Sequence, residues 1–177
     1  MKNLLYTVAL AVLTIGCGAK QKNVKTFKDE KIMGTNVPGW ALNPKPGCAI
    51  GSYKMKGNLS MAMDISYDRS IHQLSRQLKV LTKSLVRNYL EEGEHESKTY
   101  SENLAIKVTE SVTKLTLNGA SPVKQGASDD YYFTLTCLNP KQYADSFDAM
   151  EELDDTIRRQ LRIRAEKGFE ALDEKAK

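Results

Sequence analysis

The longest regular pattern in this chain runs from residue 60 to residue 92, and it limits the possible folds more than any other feature. Apolar side chains recur there in steps of three and four residues, which aligns them along one side of a helix. These side chains are Ile71, Leu74, Leu78, Leu81, Leu85 and Tyr89. Basic residues such as Arg76 and Arg87 occupy the other side. The pattern predicts an amphipathic helix of roughly 50 Å whose apolar side packs on a sheet, with a coiled-coil seam as the alternative.

Three short segments have the composition of β-strands. The strongest is 131–138, where aromatic and β-branched residues alternate with a period of two. Residues 48–55 and 120–125 are weaker candidates, and 126–130 predicts a hairpin loop before the last strand. The order strand, helix, strand, strand folds most simply as an antiparallel sheet over its helix, with the first strand beside the last.

Two further helices complete the predicted architecture. Residues 101–116 keep the helical step, and Asn118-Gly119 suits the end of a helix because both residues tolerate a left-handed backbone. Apolar residues recur in steps of three and four from Tyr143 to Leu161, so a C-terminal helix is expected from about residue 141, directly after Pro140, to 174. We therefore predict an α+β fold: a three-stranded antiparallel sheet packed on a long helix, with an additional helix and a C-terminal helix.

The N-terminus has the pattern of an export signal. Lys2 precedes an uncharged run from Leu4 to Ile15, and Gly16 leads into Cys17. A small residue directly before a cysteine resembles a bacterial lipobox, in which the Cys17 thiol takes a diacylglycerol and becomes the mature N-terminus. The alternatives are an ordinary signal peptide with an incidental cysteine, or an uncleaved anchor, although the run is short for crossing a bilayer. Residues 1–16 are thus predicted to be a lipoprotein signal peptide.

The segment behind Cys17 predicts a flexible tether. Residues 17–36 are rich in lysine and show no apolar period, and Gly18 replaces the Asp that commonly retains lipoproteins in an inner membrane. We expect a lipid-anchored protein at an outer membrane. Residues 37–177 are predicted to form one domain, opened by Pro38 and Trp40. Trp40, the only tryptophan, either packs over an edge of the core or contacts a partner.

Cys48 and Cys137 are the remaining cysteines. In an exported protein, two cysteines favour a disulfide, and two small reduced core residues are the alternative. Cys48 starts the first predicted strand and Cys137 ends the last. An antiparallel pairing of these strands would place the two residues opposite each other.

The C-terminal helix carries acids followed by bases, in the order that a helix dipole favours. Its basic residues are Arg158, Arg159, Arg162 and Arg164. They either form a solvated face or meet acidic residues of a partner. The net charge of +4 is too small to indicate binding to nucleic acid.

The sequence contains no motif that points to catalysis. Its two histidines, His72 and His95, lie in the long helix and in an acidic turn, and neither has the spacing of a dedicated zinc site. Phosphate-binding and dinucleotide-binding glycine patterns are lacking, as is the nucleophile elbow of hydrolases. We expect neither a catalytic site, nor a metal, nor a cofactor.

Several features follow one another along the chain: the lipobox cysteine, the polar tether, Pro38-Gly39-Trp40, Ile50-Gly51, the long helix, Leu117-Asn118-Gly119-Ala120, Tyr131-Tyr132-Phe133-Thr134-Leu135 and the charged C-terminal helix. This order resembles that of the Lpp-twenty type of small bacterial lipoproteins. The resemblance covers about 37–165 and departs from the family's Ala-rich long helix. It implies a dodecin-like strand–helix–strand–strand fold without known catalytic activity. Some members of that family multimerise around the flagellar basal body, and others are described as surface antigens.

Two functions follow as expectations. In the first, the lipid holds the domain at the periplasmic face of an outer membrane, where it self-associates or joins an envelope or flagellar assembly. In the second, the domain is a binding module or surface antigen that presents Trp40 or its sheet to a ligand, to peptidoglycan or to a host surface.

Overall fold

The computed structural model describes residues 28–92 and 102–175. The predicted signal peptide, Cys17, most of the predicted tether and His95 lie outside these ranges. The described part is an α+β fold in which a three-stranded antiparallel sheet packs on a long helix, as predicted. Among the described helices, none has the length and apolar character needed to cross a bilayer.

The central sheet consists of β3 (Cys48–Lys54), β4 (Ser121–Ser128) and β5 (Tyr131–Cys137), in the order β3-β5-β4. Both pairings are antiparallel, so the first of these strands lies beside the last, as expected from the connection through a helix. The register pairs Cys48 with Cys137 and Lys54 with Tyr131. The strand β4 is longer than predicted, because its turn is confined to residues 129–130 instead of the loop 126–130.

The long helix α2 (Leu59–Glu92) crosses one face of β3 and β5. Asn58 caps it, since its side-chain oxygen accepts a hydrogen bond from the backbone N–H of Met61 at 3.0 Å. Of the predicted stripe, Leu74, Leu78 and Tyr89 are buried and the others are partly buried. The helix α3 (Glu102–Leu117) runs back along α2.

The predicted C-terminal helix is present, but it does not begin near residue 141, because the chain forms two helices there. They are α4 (Pro140–Asp145) and α5 (Asp155–Lys175), separated by a series of tight turns. Asp154 caps the second helix by accepting a hydrogen bond from the backbone N–H of Ile157 at 3.0 Å. The predicted apolar stripe is nevertheless buried throughout. Its members are Tyr143, Phe147, Met150, Leu153, Ile157 and Leu161.

The predicted tether is also shorter than expected, because a small hairpin occupies its last part. Its strands are β1 (Glu30–Ile32) and β2 (Thr35–Val37), and a short helix α1 (Gly39–Leu42) follows. The hairpin is joined to the rest of the domain by Asn36, whose backbone N–H donates to the carboxylate of Asp129 at 2.7 Å. A second tie runs from the Gly39 N–H to Asp29 at 2.8 Å.

Candidate functional site

The two domain cysteines form a disulfide on the face of the sheet that points away from α2. Cys48 and Cys137 are register partners with Cα atoms 4.0 Å apart. The Leu138 N–H donates to the Gly47 carbonyl at 2.8 Å, so the neighbouring pair is hydrogen-bonded and the cysteine pair is not. Side chains in non-hydrogen-bonded pairs lie closest together, which suits a bond between them. The bridge closes a loop of 89 residues and ties both ends of the β3–α2–β5 unit.

Trp40 lies on this same outer face, at β4. Its ring contacts the position where Gly126 would carry a side chain, and the Lys124 ammonium lies 5.4 Å from the ring centroid. Gly126 pairs with Phe133, which is only 5% exposed. Trp40 is partly buried. It thus packs over an edge of the sheet, one of the two roles that the sequence left open.

A groove of about 360 Å³ opens at the Cys48 end of β3. Its walls come from the loop before β3, from α2 and from α5, and include Pro46, Leu78 and Phe169. Gly47 has a φ of +77°, and a side chain there would lie 2.8 Å from the Phe169 ring. The groove is mainly apolar and offers no titratable cluster within the described residues. It provides shape and apolar contact for a ligand.

Three of the four C-terminal arginines are engaged within the domain. Arg162 bonds Asp148 at 2.8 Å and Asp145 at 3.1 Å. These carboxylates raise its pKa, the Asp148 charge most strongly. Arg158 pairs with Asp155 and also donates to the Asp148 carbonyl at 3.1 Å.

Arg164 lies with its guanidinium carbon 5.1 Å from the ring centroid of Tyr89. Arg159 differs from these three, since it is exposed and forms no ion pair within the described part of the chain. The structure does not bring the four C-terminal arginines to Trp40, because α5 packs on α4 and α2.

The basic side of α2 is partly neutralised by α3. Glu102 accepts two hydrogen bonds from Arg87, at 2.6 and 2.7 Å, and contacts Lys83 at 2.9 Å. These donors, Arg87 first, lower the pKa of Glu102 to about 2. Arg76 and Lys79 remain exposed, next to Val80, which is 72% exposed.

Sequence reasoning missed a row of small and hydroxyl-bearing residues where α2 meets the sheet. Ser66 and Thr134 share a hydrogen bond of 2.7 Å between their hydroxyls, and Ser70 and Thr136 share one of 2.6 Å. All four residues are fully buried. The signal is visible in the sequence, since small residues recur every fourth position from Ala62 to Ser70, but the predicted buried side of α2 rested on large apolar side chains only.

Gly51 explains why the residues in this row are small. A Cβ atom at this position would lie 1.8 Å from the carbonyl oxygen of Ser66 and 2.5 Å from the backbone nitrogen of Ser70. Backbone therefore meets backbone here, and the paired hydroxyls satisfy each other inside the contact. No buried side-chain polar atom among the described residues lacks a hydrogen-bond partner.

Comparisons with known proteins do not assign the chain to a family. Neither the protein-family models nor the curated proteins searched gave a match. The described residues also contain no group of three or more His, Cys, Asp or Glu side chains that could hold a metal ion. The resemblance to the Lpp-twenty lipoproteins therefore stays a prediction.

Proposed function

We propose that this chain is a lipid-anchored lipoprotein with a structural or assembly role in the cell envelope. The observation that carries the proposal is the run from Leu4 to Ile15 followed by Gly16 and Cys17. In this proposal a lipid on Cys17 holds the domain at the periplasmic face of an outer membrane. Two or more acyl chains would make the attachment stable, since one chain binds only marginally.

A structural role is supported by how the domain is built. The disulfide joins β3 to β5, and the close contact at Gly51 and the paired hydroxyls hold α2 against the sheet. The helix α2 has 34 residues, about 51 Å at the usual rise, and therefore offers a long rigid surface. In its most specific form the proposal is a self-assembling component of a flagellum-associated structure, which the resemblance to the Lpp-twenty lipoproteins implies.

The geometry changes which charges are free to meet a partner. Arg158, Arg162 and Arg164 are held inside their own domain, so contacts between molecules fall to other exposed residues. Among the exposed cations are Arg76, Lys79 and Arg159, and among the exposed acids are Glu151 and Glu152. We propose that the cations of one molecule meet the acids of its neighbour. High salt should weaken such contacts.

Light scattering on the chain from Gly18 onward tests the assembly role, because it measures absolute mass without the lipid. We expect a concentration-dependent oligomer that dissociates at high salt. Arg159→Glu should reduce its mass at a given concentration, whereas Arg162→Gln, which removes an intramolecular pair, should act mainly on stability. A monomer at all concentrations would contradict self-assembly, and an unmodified Cys17 in membrane extracts would contradict the lipid anchor.

A binding module is the second candidate, favoured by the partly exposed Trp40 beside Lys124. An aromatic ring under a cation on an otherwise open sheet face can bind the apolar side of a sugar or a peptide. Titration with peptidoglycan fragments should then change the fluorescence of Trp40, the only tryptophan. A constant signal with peptidoglycan and with host-surface glycans would contradict this candidate.

A further inference from the structure

An apolar tip projects from the β1–β2 hairpin. Met33 and Gly34 form its turn, with φ angles of 48° and 85°. Met33 is 102% exposed and Ile32 is 45% exposed, so the described residues leave Met33 uncovered and cover Ile32 only in part. Turns with positive φ at both central residues are normally built from Asn, Asp or Gly. Of the two other non-glycine residues with positive φ, Asp129 belongs to this set, and Lys56 is polar.

The same end of the molecule exposes more apolar surface. Asn36 ties the hairpin to Asp129 at 2.7 Å, and Asp130 accepts the Met55 N–H at 2.7 Å. The turn after Met55 leads directly into α2, whose first residues include Leu59 at 53% exposed and Met61 at 48% exposed. The apolar residues of this end are Ile32, Met33, Leu59 and Met61, and they are here called the apolar end.

Charge does not explain this surface. The lysines around the apolar end are Lys31, Lys54 and Lys56, and the acids are Glu30, Asp129 and Asp130. Lys54 contacts Asp130 at 3.5 Å, so part of this charge is paired. An occupant of the apolar end is therefore recognised by apolar contact and not by a strong field.

The position of the N-terminal chain indicates what that occupant is. Ten residues separate Cys17 from Lys28, where the described structure begins, and the hairpin follows within two residues. A chain of this length reaches at most about 40 Å. A lipid on Cys17 would therefore keep the hairpin close to the bilayer surface.

We infer that the apolar end docks on the lipid surface, with Met33 and Ile32 inserted between headgroups. This inference rests on the proposed lipid anchor, because the anchor supplies the proximity. It adds an orientation: the apolar end faces the bilayer, and α2 points away from it into the periplasm. The outer end of α2 then remains accessible to other envelope components.

Fluorescent probes at two exposed apolar positions test the docking. Met33→Cys and Val80→Cys are labelled with a nitrobenzoxadiazole dye in the full lipidated chain, with the Cys48–Cys137 disulfide kept oxidised. The proteins are reconstituted into phosphatidylcholine vesicles with doxyl-labelled lipids. Val80 is the matched control, because it is 72% exposed and lies 21 residues along α2 from Leu59, about 31 Å away.

We expect doxyl quenching at position 33 to exceed that at position 80 by about twofold or more, since inserted apolar groups lie about 5–10 Å below the headgroup boundary. The difference should persist at high salt. The same dye attached to Met61→Cys should be quenched less when Met33→Asn is introduced into the same chain. Asn tolerates a positive φ, so this variant keeps the hairpin while removing the apolar tip.

Equal quenching at positions 33 and 80 would overturn the docking. The emission of the dye at position 33 could instead shift to the blue as the protein concentration rises, with no quenching by doxyl lipids. That result would assign the apolar end to a contact with a second copy and would also overturn the docking. Mass spectrometry of the N-terminal peptide tests separately whether Cys17 carries a lipid. If Cys17 proves unmodified, it is replaced by serine before labelling, and the chain added to vesicles still reports insertion, so failure of the anchor and failure of the docking are distinguishable.

Discussion

Replacing Gly51 by alanine tests the closest contact in the fold. The added Cβ would lie 1.8 Å from the Ser66 carbonyl oxygen and 2.5 Å from the Ser70 nitrogen, and both atoms belong to the helix backbone. A rotamer change cannot relieve this clash. The strand and the helix must separate by roughly 1.5 Å to restore ordinary van der Waals distances.

The cost has three parts. Overpacking of a dense interior costs about 1–3 kcal/mol. A separation of this size would also stretch the hydroxyl pairs, now at 2.7 and 2.6 Å, beyond hydrogen-bonding distance, and each contributes about 1 kcal/mol. Alanine lowers the conformational entropy of the unfolded chain, which offsets about 0.4–1 kcal/mol of this loss in stability. The net loss in free energy of unfolding is about 2–5 kcal/mol.

Gly168→Ala is the matched control. Gly168 lies inside α5, and a Cβ there would meet no atom within 4 Å. The same substitution should therefore stabilise the protein by about 0.5–1 kcal/mol, because glycine is a poor residue for a helix interior.

Urea unfolding followed by circular dichroism and Trp40 fluorescence measures both changes through the midpoint, provided the slope stays constant. The two variants should shift the midpoint in opposite directions. A loss of less than about 1 kcal/mol in the free energy of unfolding of Gly51→Ala would refute the direct backbone contact between β3 and α2.

Three further predictions concern the disulfide and two titrating side chains. Replacing Cys48 and Cys137 by serine should lower the free energy of unfolding by about 2–4 kcal/mol, since the bridge closes a loop of 89 residues; an unchanged urea midpoint in excess dithiothreitol would argue against it. The pKa of Glu102 is lowered to about 2 by Arg87, from an ordinary value of 4.5, so its contribution to stability is present above pH 4.5 and is lost as the pH falls towards 2. Glu102→Gln should make the urea midpoint depend less on pH across that window, by a small amount because the pair is exposed and screened by salt. Identical pH profiles for variant and parent would refute this. Burial raises the pKa of Tyr143 from 10.0 to about 12, so stability is complete below pH 10 and roughly 2–3 kcal/mol is lost as the pH rises through 12. Tyr143→Phe should remove this part of the alkaline loss, which thermal unfolding between pH 9 and 12 would reveal.

The strand and helix positions were largely predictable, because they depend on local periodicity. The strands β3 and β5 and the helices α2 and α3 begin and end within one or two residues of their predicted bounds. Local caps account for this agreement: Asn58 starts α2, and Asn139 with Pro140 starts α4.

The errors have a common physical cause. A spacing of three and four residues predicted one helix from about residue 141, but successive tight turns around Met150 bury the same side chains without a continuous helix. Periodicity reports which residues face the core and not whether the backbone between them is straight. The hairpin at residues 30–37 was missed because its three-residue strands are too short to show alternation.

The candidate site was predictable only where it depends on register. Placing Cys48 at the start of one strand and Cys137 at the end of its antiparallel neighbour was enough to set the two cysteines opposite each other. The partners of the C-terminal arginines were not predictable. Arg162 bonds Asp145 and Asp148, which belong to α4 and the turns after it, and their position depends on where the chain bends.

The amino-acid sequence alone determined the class of the fold, the order of its main elements and the export-like N-terminus, because hydrophobic periodicity, caps and charge act over a few neighbouring residues. Only the tertiary structure decided which polar groups are used up inside the domain and which surfaces remain open. The hydroxyls of Ser66 and Ser70 form hydrogen bonds with the sheet, and Arg162 forms an ion pair with α4, while Met33 is left exposed at the tip of a hairpin. These outcomes depend on packing between residues far apart in the chain. The spacing of small residues from Ala62 to Ser70 indicates a close contact, but it does not identify the partner of each hydroxyl.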